Sequence, residues 1–369
     1  MRIKNISFIT GVLLMLSAQS CATSPASNEN AATNDEETVF TNPLLDRGAD
    51  PWSYFYKGKY YYMNTVGDRL ELWETADLTE LREAEHKTVW RPEEGSKMHS
   101  IWAPEIHRID GKWYIYVSIV DPDGVVPYHQ MYVLENASDN PMEGTFVMKG
   151  RLQTDKDNNW GIDASVFEIG GELYATWSGW PQVYPDKQVQ CIYIAHMSNP
   201  WTIDSERVLI SKPEYDWEMN YKEADGRNPF DKIIYVNEGP QPLVSPDGKL
   251  VHIIYSASGV WTPYYQLGLL TADASGNLLD PKSWKKSDKP VFSQNPEAGV
   301  YAPGHNSFFM SPDSSEYYIL YHARDVQYDS QVQGEGRSPR AQKFTWENGY
   351  PVFGVPVAKG VELSKPSAK

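Results

Sequence analysis

The sequence is poor in cysteine, which limits how the fold can be stabilised. Its 369 residues include two cysteines, Cys21 and Cys191. A disulfide framework needs several pairs, and Cys21 has another expected use, described below. Cys191 lies in an apolar stretch, where a buried and unreactive thiol is expected. Packing and hydrogen bonds must therefore hold the fold together.

Positive charge is also scarce. The chain has 33 Lys and Arg residues against 49 Asp and Glu residues, a formal net charge of −16. Proteins that bind nucleic acid need a basic surface that displaces counterions from phosphates, so the composition excludes nucleic acid as a partner. Solvated acidic residues explain most of this charge, and an acidic channel around a catalytic site would explain the rest.

Apolar runs long enough to span a membrane are missing. The run at residues 6–16 is too short, follows Arg2 and Lys4, and ends in Ser-Ala-Gln-Ser before Cys21. This ending resembles a bacterial lipobox, so we expect residues 1–21 to be a lipoprotein signal peptide with Cys21 as the lipidated residue. A plain signal peptide is the alternative. Both interpretations export the protein, to the cell envelope or the medium, and the membrane is reached only through the lipid.

Residues 22–39 contain little that could be buried. They are rich in Ser, Asn, Ala, Thr and acidic residues, which is typical of a flexible tether. Residues 40–369 are then predicted to form one domain.

A sustained helical period is absent, and a β-type repeat takes its place. A tight-turn signal followed by alternating aromatic and aliphatic residues recurs five times, with turns near residues 58, 111, 171, 248 and 315. Five such units predict an all-β fold, a five-bladed β-propeller with four-stranded blades around a central channel. A β-sandwich or two stacked sheets is the alternative. A strand near Phe40 is expected to complete the last blade beside residues 341–355.

One ionisable residue precedes each of the five predicted hairpins. In chain order these residues are Asp50, Glu105, Asp163, Glu238 and His305. Because the first strand of each propeller blade lines the channel, we expect the five side chains to converge at one mouth of it. A lone Asp at such a position would be a turn or cap residue. Five in register indicate a catalytic pocket.

The segments around these residues resemble those of glycoside hydrolase family 43. The matching segments are Ala49–Trp52, Trp102–Glu105, Asp163–Phe167, Glu238–Pro240 and Gly304–Phe308, within a likeness that runs from Asn42 to Leu363. Residues 267–281, 301–308 and 337–344 resemble the α-L-arabinofuranosidase branch in particular. The resemblance implies a five-bladed propeller and an inverting mechanism.

The resemblance also implies three catalytic roles. Asp50 is expected to be the general base and Glu238 the general acid, and Asp163 is expected to orient Glu238 and raise its pKa. An inverting glycosidase needs its two catalytic carboxyls roughly 6.5–9.5 Å apart to admit a water molecule. Strands from different blades could supply such a gap.

Further residues are expected to contact the sugar. Aromatic faces bind the apolar faces of sugar rings, and the candidates for the pocket wall are Trp52, Trp102, Trp160, Trp180 and Tyr301. By resemblance, Glu105 helps to build the pocket and Arg324 reaches the sugar. The resemblance implies that His305 helps to hold a single calcium ion through water molecules. A structural or substrate-facing histidine is the alternative, and the chemistry itself requires no cofactor.

The sequence leaves several functions open. An exo-acting α-L-arabinofuranosidase that releases terminal arabinose from arabinan or arabinoxylan is expected, with a plant cell-wall oligosaccharide or polysaccharide as partner. The alternatives within the family are a β-xylosidase and an endo-arabinanase. A non-catalytic propeller that binds glycans at the cell surface is a third. The insertion at residues 212–232 is expected to shape the rim of the pocket.

Overall fold

The repeated turn-and-strand units fold as the sheets of a ring. The structure, a computed structural model, describes residues 38–182, 187–223, 225–230 and 232–368. The predicted signal peptide, Cys21 and most of the predicted tether lie outside these residues. Within the described ranges, no helix combines the length and apolar character needed to cross a bilayer.

The strands follow one another with few helical residues between them. In chain order they are β1 (Val39–Thr41), β2 (Ala49–Tyr56), β3 (Lys59–Thr65), β4 (Leu70–Thr75), β5 (Glu85–Trp90), β6 (His99–Ile109), β7 (Lys112–Val120), β8 (Gln130–Asn136), β9 (Val147–Arg151), β10 (Gly161–Ile169), β11 (Glu172–Gly179), β12 (Lys187–Val189), β13 (Cys191–Asn199), β14 (Thr202–Ile203), β15 (Val208–Ser211), β16 (Ile233–Tyr235), β17 (Asn237–Val244), β18 (Leu250–Ala257), β19 (Gln266–Asp273), β20 (Lys285–Lys286), β21 (Tyr301–Met310), β22 (Tyr317–Arg324), β23 (Ser338–Glu347), β24 (Tyr350–Val352) and β25 (Glu362–Ser364). Short 3₁₀ turns lie at Leu78–Glu83, Asp216–Glu218, Pro281–Ser283, Pro296–Ala298 and Asp329–Gln331.

Five antiparallel sheets built from the described residues form the blades of a propeller, which confirms the predicted fold class. Blade 1 is β2–β5, blade 2 is β6–β9, blade 4 is β17–β20 and blade 5 is β21–β24. Blade 3 combines β10, β11 and β13 with the short strands β14 and β15. The first strand of each blade pairs with the second through the hairpin that the sequence predicts.

The hairpin turns show why the repeat was visible in the sequence. In blade 1, Lys57 and Gly58 have φ angles of 50° and 79°, and in blade 2, Asp110 and Gly111 have 49° and 79°. Two successive left-handed residues make a turn whose twist matches that of the flanking strands. Glycine at the second position adopts this conformation without a steric penalty.

The core lies between the blades. Among the described residues, each of five hydrophobic clusters draws its members from two neighbouring blades, and the cluster between blades 5 and 1 closes the ring. Because side chains alternate along a strand, Tyr60 and Tyr62 pack toward blade 5 while Tyr61 and Met63 pack toward blade 2. A strand buried on both faces therefore has an unbroken apolar sequence.

Cys191 lies inside the cluster between blades 2 and 3. Its side chain is buried, and burial raises the pKa of the thiol to about 12. Burial of Cys191 is therefore confirmed, and a thiol with so high a pKa carries little thiolate at neutral pH, so its lack of reactivity stays a prediction.

The ends of the domain meet differently from the expectation. Blade 5 is completed by β24 from its own segment, and β1 pairs with β25 in a separate two-stranded sheet. The prediction that a strand near Phe40 completes the last blade is therefore wrong. Phe40 instead inserts its buried side chain into the cluster between blades 5 and 1. The segments β1 and β25 thus help to close the ring by packing against it, and neither becomes a strand of a blade.

Asn42 joins the N-terminal segment to blade 5. Its buried side-chain amide donates a 2.9 Å hydrogen bond to the Ala341 carbonyl, and its Oδ1 accepts a 2.9 Å bond from the Ala341 N–H. Both partners are backbone groups in β23 that would otherwise be left unpaired.

We predict that Asn42→Ala lowers the free energy of unfolding by about 2 kcal/mol, because two buried backbone groups lose their partners. Denaturant unfolding monitored by tryptophan fluorescence measures this change. The matched control is Thr41→Ala, which truncates an exposed neighbour in β1 and is expected to change stability little. Equal effects of the two substitutions would show that the Asn42 bonds do not stabilise the ring.

Candidate active site

A β-bulge interrupts the inner strand of every blade near its start. The strand pairing skips two residues in each blade, and the first of the two has a left-handed conformation: Asp50, Ala103, Asp163, Gly239 and His305, with φ angles of 57°, 46°, 60°, 53° and 44°. A bulge of this kind changes the direction in which a side chain points. Left-handed conformations cost energy for residues other than glycine, so the surrounding structure must hold them.

The bulge defines which predicted residues are equivalent. Asp50, Asp163 and His305 occupy the left-handed position itself. Glu238 precedes the position by one residue, since Gly239 fills it, and Glu105 follows it by two residues. The prediction that all five ionisable residues occupy one equivalent point in the repeat is therefore correct in three blades and wrong in two.

Side chains from the preceding blade hold the bulges. In four blades the bulge N–H donates to a side chain on the second strand of the neighbouring blade: Ala103 to Thr65 Oγ1 at 2.7 Å, Asp163 to Ser118 Oγ at 3.1 Å, His305 to Ser256 Oγ at 2.7 Å, and Asp50 to His322 Nδ1 at 3.1 Å. In blade 4, the Gly239 N–H donates to Asp163 Oδ2 at 3.0 Å. The Asp163 carboxyl thus takes the place of the hydroxyl used in three blades and of the histidine used in blade 1.

Asp50 lies in a polar and cationic environment. Its buried carboxyl accepts a 2.6 Å hydrogen bond from the Thr65 hydroxyl, and its Oδ1 lies 3.2 Å from His305 Nδ1 and 3.4 Å from Arg337 Nη1. Burial alone would raise its pKa, but His305, Arg337 and His322 together hold the pKa of this carboxyl well below its usual range. Asp50 is therefore ionised across the neutral range.

Arg337 and two histidines surround the Asp50 carboxyl. His322 Nδ1 accepts the Asp50 N–H, so a neutral His322 carries its proton on Nε2. Burial lowers the pKa of His322 to about 4, and burial also lowers the pKa of His305. Arg337, whose guanidinium is always charged, is the permanent cation beside Asp50. The sequence reasoning did not single out Arg337, although it lies in the Arg337–Phe344 stretch used for the family resemblance.

Glu238 lies in a different environment. Its Oε1 accepts a 2.8 Å hydrogen bond from the Tyr265 hydroxyl. Burial raises the pKa of Glu238 to about 7, and the charge of Asp50 adds to this, while Tyr265 and Arg337 act in the opposite direction. A carboxyl with this pKa retains a proton that it can donate near neutral pH.

Asp163 connects to Glu238 through the backbone. Its carboxyl is buried and accepts the N–H of Gly239, the residue that follows Glu238. Burial, followed by the neighbouring charge of Glu238, raises the pKa of Asp163 well above its usual value. The two carboxyls therefore titrate as a pair in which the ionisation of one opposes that of the other. This contact fits the predicted orienting role, whereas the raised pKa of Glu238 is caused by burial and by the charge of Asp50; a contribution of Asp163 to that pKa stays a prediction.

Glu105 lies two residues after the bulge of blade 2, and two partners hold its side chain. Its buried carboxylate accepts a 2.9 Å bond from His107 Nε2 and a further bond from the Gln241 side-chain amide. These contacts join blade 2 to blade 4 across the channel. They fit the expectation that Glu105 helps to build the pocket.

Arg324 does not take the predicted position. Its side chain is fully buried, and its guanidinium donates to the backbone carbonyls of Val260 and Thr262, at 2.7 and 2.8 Å, and to Asp329. A guanidinium without exposed surface cannot reach a sugar, so the expected sugar contact is corrected to a structural role. Arg324 ties the loop after β18 to the loop after β22. Arg337, with its Nη1 3.4 Å from Asp50, is the arginine at the carboxylates.

The aromatic candidates separate into two groups. Trp102 is 39% exposed and stacks on His129, with ring centroids 3.8 Å apart, and the rings of Trp160 and Trp180 stack at 5.2 Å. Trp102 lies in β6 directly before the bulge, Trp160 directly precedes β10, and Trp180 directly follows β11.

Trp52 lies between blades 1 and 2. It packs against the cluster there, and its indole N–H donates a 2.7 Å bond to the Ile106 carbonyl. Tyr301 is partly exposed at the start of β21. Sugar contacts by these aromatic residues stay predictions.

Calcium was expected near His305. Within the described ranges, no group of three or more His, Cys, Asp or Glu side chains forms a set of metal ligands, so the residues do not fit a directly ligated calcium. His305 Nδ1 is occupied by Asp50. Calcium held through waters stays a prediction, and no chemical step below depends on it.

An ionised and a protonated carboxyl in one channel define the class of site. One can activate a water molecule while the other protonates a leaving oxygen, which is the division of roles in inverting glycosidases.

Comparison with known proteins agrees with this class. The model of "Glycosyl hydrolases family 43" matches residues 40–351. The extracellular exo-α-(1→5)-L-arabinofuranosidase of Streptomyces avermitilis is 37% identical over 359 residues, which cover 95% of this chain and 68% of that protein. α-L-Arabinofuranosidase B of Pyricularia oryzae is 34% identical, with 96% of this chain and 70% of that protein covered.

Solved structures give the same result. The crystal structure of the α-L-arabinofuranosidase from Lactobacillus brevis superposes with a TM-score of 0.76 at 34% identity, and 87% of this chain and 98% of that chain are covered. The chain belongs to glycosyl hydrolase family 43, whose enzymes are inverting hydrolases of O-glycosyl bonds.

The raised pKa of Glu238 predicts a stability effect. In the folded protein this pKa is about 7, against a usual value of 4.5, so the stability that the protonated group contributes is lost as pH rises through this interval. Glu238→Gln removes the ionisation. We predict that the variant melts about 2 °C or more above the wild type at pH 8 and close to it at pH 4.5.

Scanning calorimetry at the two pH values measures this difference. The matched control is Glu347→Gln, at an exposed position in β23, which is expected to show no pH-dependent gain. A Glu238→Gln gain of the same size at both pH values would contradict the raised pKa.

Proposed function

We propose that the protein is an exo-acting α-L-arabinofuranosidase that releases terminal arabinose from plant cell-wall arabinan or arabinoxylan. The names of the relatives in Streptomyces avermitilis and Pyricularia oryzae support the sugar. The observation that carries the chemistry is the contrast between the two carboxyls. Asp50 is ionised beside Arg337, whereas Glu238 keeps a proton near neutral pH.

In the proposed mechanism, Glu238 donates its proton to the glycosidic oxygen as the bond to the anomeric carbon breaks. Asp50 removes a proton from a water molecule that attacks the opposite face of the sugar, so the product has inverted configuration. Asp163 orients Glu238 through the Gly239 N–H. Each reaction leaves Asp50 protonated and Glu238 ionised, and proton exchange with solvent restores both.

Exo action is supported by two loops beside blade 4 that hold each other. The insertion at residues 212–232 is tied to the loop after β18, since the Asn220 N–H donates to Ser258 Oγ at 3.1 Å and the Trp261 indole N–H donates to the Tyr221 carbonyl at 2.8 Å. Phe230 packs edge-on against Trp261, with centroids 4.6 Å apart. Loops held in this way would limit a chain passing through the cleft, which disfavours an endo-arabinanase.

Paired aryl glycosides and a linear arabino-oligosaccharide test the substrate. We predict release of arabinose from aryl α-L-arabinofuranoside, with at least tenfold lower activity on aryl β-D-xyloside, and arabinose as the first product from the oligosaccharide. Asp50→Asn is the control and is expected to lose activity on every substrate. Preferred release of xylose would favour a β-xylosidase, and longer first products would favour an endo-arabinanase. A wild type as inactive as Asp50→Asn would favour a glycan-binding propeller.

We further propose export with a lipid on Cys21. The support is the charged start, the short apolar run and the small residues before Cys21, together with relatives that are named as extracellular. We predict that labelled palmitate is incorporated into the full chain expressed in a bacterial host and that Cys21→Ser abolishes incorporation. Cys191→Ser, which changes the buried cysteine, is the control and should keep the label. Export of an unlabelled wild-type chain would indicate a plain signal peptide.

A further inference from the structure

Tyr265 contacts the carboxyl of Glu238 from outside the repeated motifs. It lies directly before β19, is fully buried, and donates a 2.8 Å hydrogen bond from its hydroxyl to Glu238 Oε1. The five inner-strand segments do not contain it, so the family-like motifs give no role to this residue. A fully buried phenol has no surface with which to contact a sugar.

The same ring also contacts the support of Asp50. Tyr265 stacks on His322 with ring centroids 5.7 Å apart and an angle of 12° between the planes. His322 Nδ1 accepts the backbone N–H of Asp50 at 3.1 Å. One side chain therefore bonds directly to one carboxyl and packs against the group that holds the bulge of the other.

The ring has little freedom to move. A Cβ atom added to Gly304 would lie 2.3 Å from Tyr265 Cε1, far inside van der Waals contact. Gly304 directly precedes the left-handed His305, so the ring packs against the backbone of a bulge in blade 5. The glycine at position 304 is thus required by the close approach of Tyr265.

We propose that Tyr265 is a positioning residue that holds the Glu238 carboxyl in the orientation for proton donation and keeps it aligned with Asp50. The proposal rests on the proposed role of Glu238 as general acid.

The hydroxyl can act during the reaction itself. As Glu238 passes its proton to the leaving oxygen, the carboxyl becomes an anion, and the Tyr265 hydrogen bond becomes charge-assisted and stronger. An interaction that strengthens toward the transition state accelerates the chemical step. Burial raises the pKa of Tyr265 well above its usual value, so the hydroxyl remains a donor throughout.

Tyr265→Phe removes the hydroxyl and keeps the ring. On an arabino-oligosaccharide, kcat is expected to fall about tenfold to a hundredfold while KM changes little, because the side chain does not touch substrate. The Glu238 anion loses a hydrogen-bond donor in this variant, so the pKa of Glu238 rises. The alkaline limb of the pH profile of kcat is therefore expected to move upward by about one pH unit. Tyr264→Phe is the matched control. It changes an exposed neighbour and should leave kcat and both the acidic and the alkaline limb of the pH profile unchanged.

A second experiment compares substrates whose leaving groups differ in their need for protonation. An aryl arabinofuranoside with a nitrophenolate leaving group needs little protonation, so Tyr265→Phe should keep most of its activity there. An equal loss on both substrates, with an unmoved alkaline limb, would overturn the proposal and leave Tyr265 a packing residue. Gly304→Ala, which displaces the ring, is expected to reproduce the shift of the limb with a larger loss of kcat.

Glu238→Gln separates this proposal from the one on which it rests. If Glu238 is the acid, this variant loses activity on the oligosaccharide and keeps it on the nitrophenyl substrate. If Glu238→Gln retains oligosaccharide activity, the assignment of the acid fails, whatever Tyr265→Phe does. If Glu238→Gln behaves as expected while Tyr265→Phe matches the wild type on both substrates, the positioning role alone fails.

Discussion

The left-handed bulge at the start of each inner strand is the constraint on which the site depends. It breaks the strand pairing at the same point in five blades. It also changes the direction in which the side chains of Asp50, Asp163 and His305 leave the sheets. Such a backbone conformation is unfavourable for residues with a Cβ, so each bulge needs an external partner. The neighbouring blade supplies that partner, and the propeller as a whole therefore holds the catalytic geometry.

Among the described residues, blade 4 is the one blade in which a carboxyl group accepts the N–H of the bulge. In blade 4 the bulge position is Gly239, and its N–H is held by the Asp163 carboxylate where the other blades use a hydroxyl or a histidine. This hydrogen bond links the Asp163 carboxyl to the residue that follows Glu238, and burial is the largest cause of the raised pKa of both carboxyl groups. Asp50, with Arg337 and the Thr65 hydroxyl around it, is shifted in the opposite direction. Asp50, in the bulge of blade 1, and Glu238, beside the bulge of blade 4, therefore have opposite protonation states.

Much of this could be predicted from the sequence, and the failures have physical causes. Hairpins and inner-strand acids have local signals, because turn residues and alternation depend on neighbours in the chain. The resemblance implied a sugar contact for Arg324 and no role for Arg337. The direction of a guanidinium depends on which loop it packs against, and Arg324 donates to carbonyls in the loop after β18. Tyr265 was missed because its partner Glu238 lies 27 residues earlier, beyond the reach of a local pattern. The pairing of β1 with β25 was missed because it joins opposite ends of the domain.

The central claim is that burial keeps a proton on Glu238 while Asp50 is ionised. A ¹³C NMR titration of side-chain carboxyls in the free enzyme tests it most directly, with the Glu238→Gln spectrum used to assign the resonance. The account predicts that the Glu238 carboxyl titrates with a pKa of about 7 and that the Asp50 carboxyl stays ionised down to the lowest pH at which the fold persists. A Glu238 resonance that titrates near the usual value of 4.5 would contradict the account.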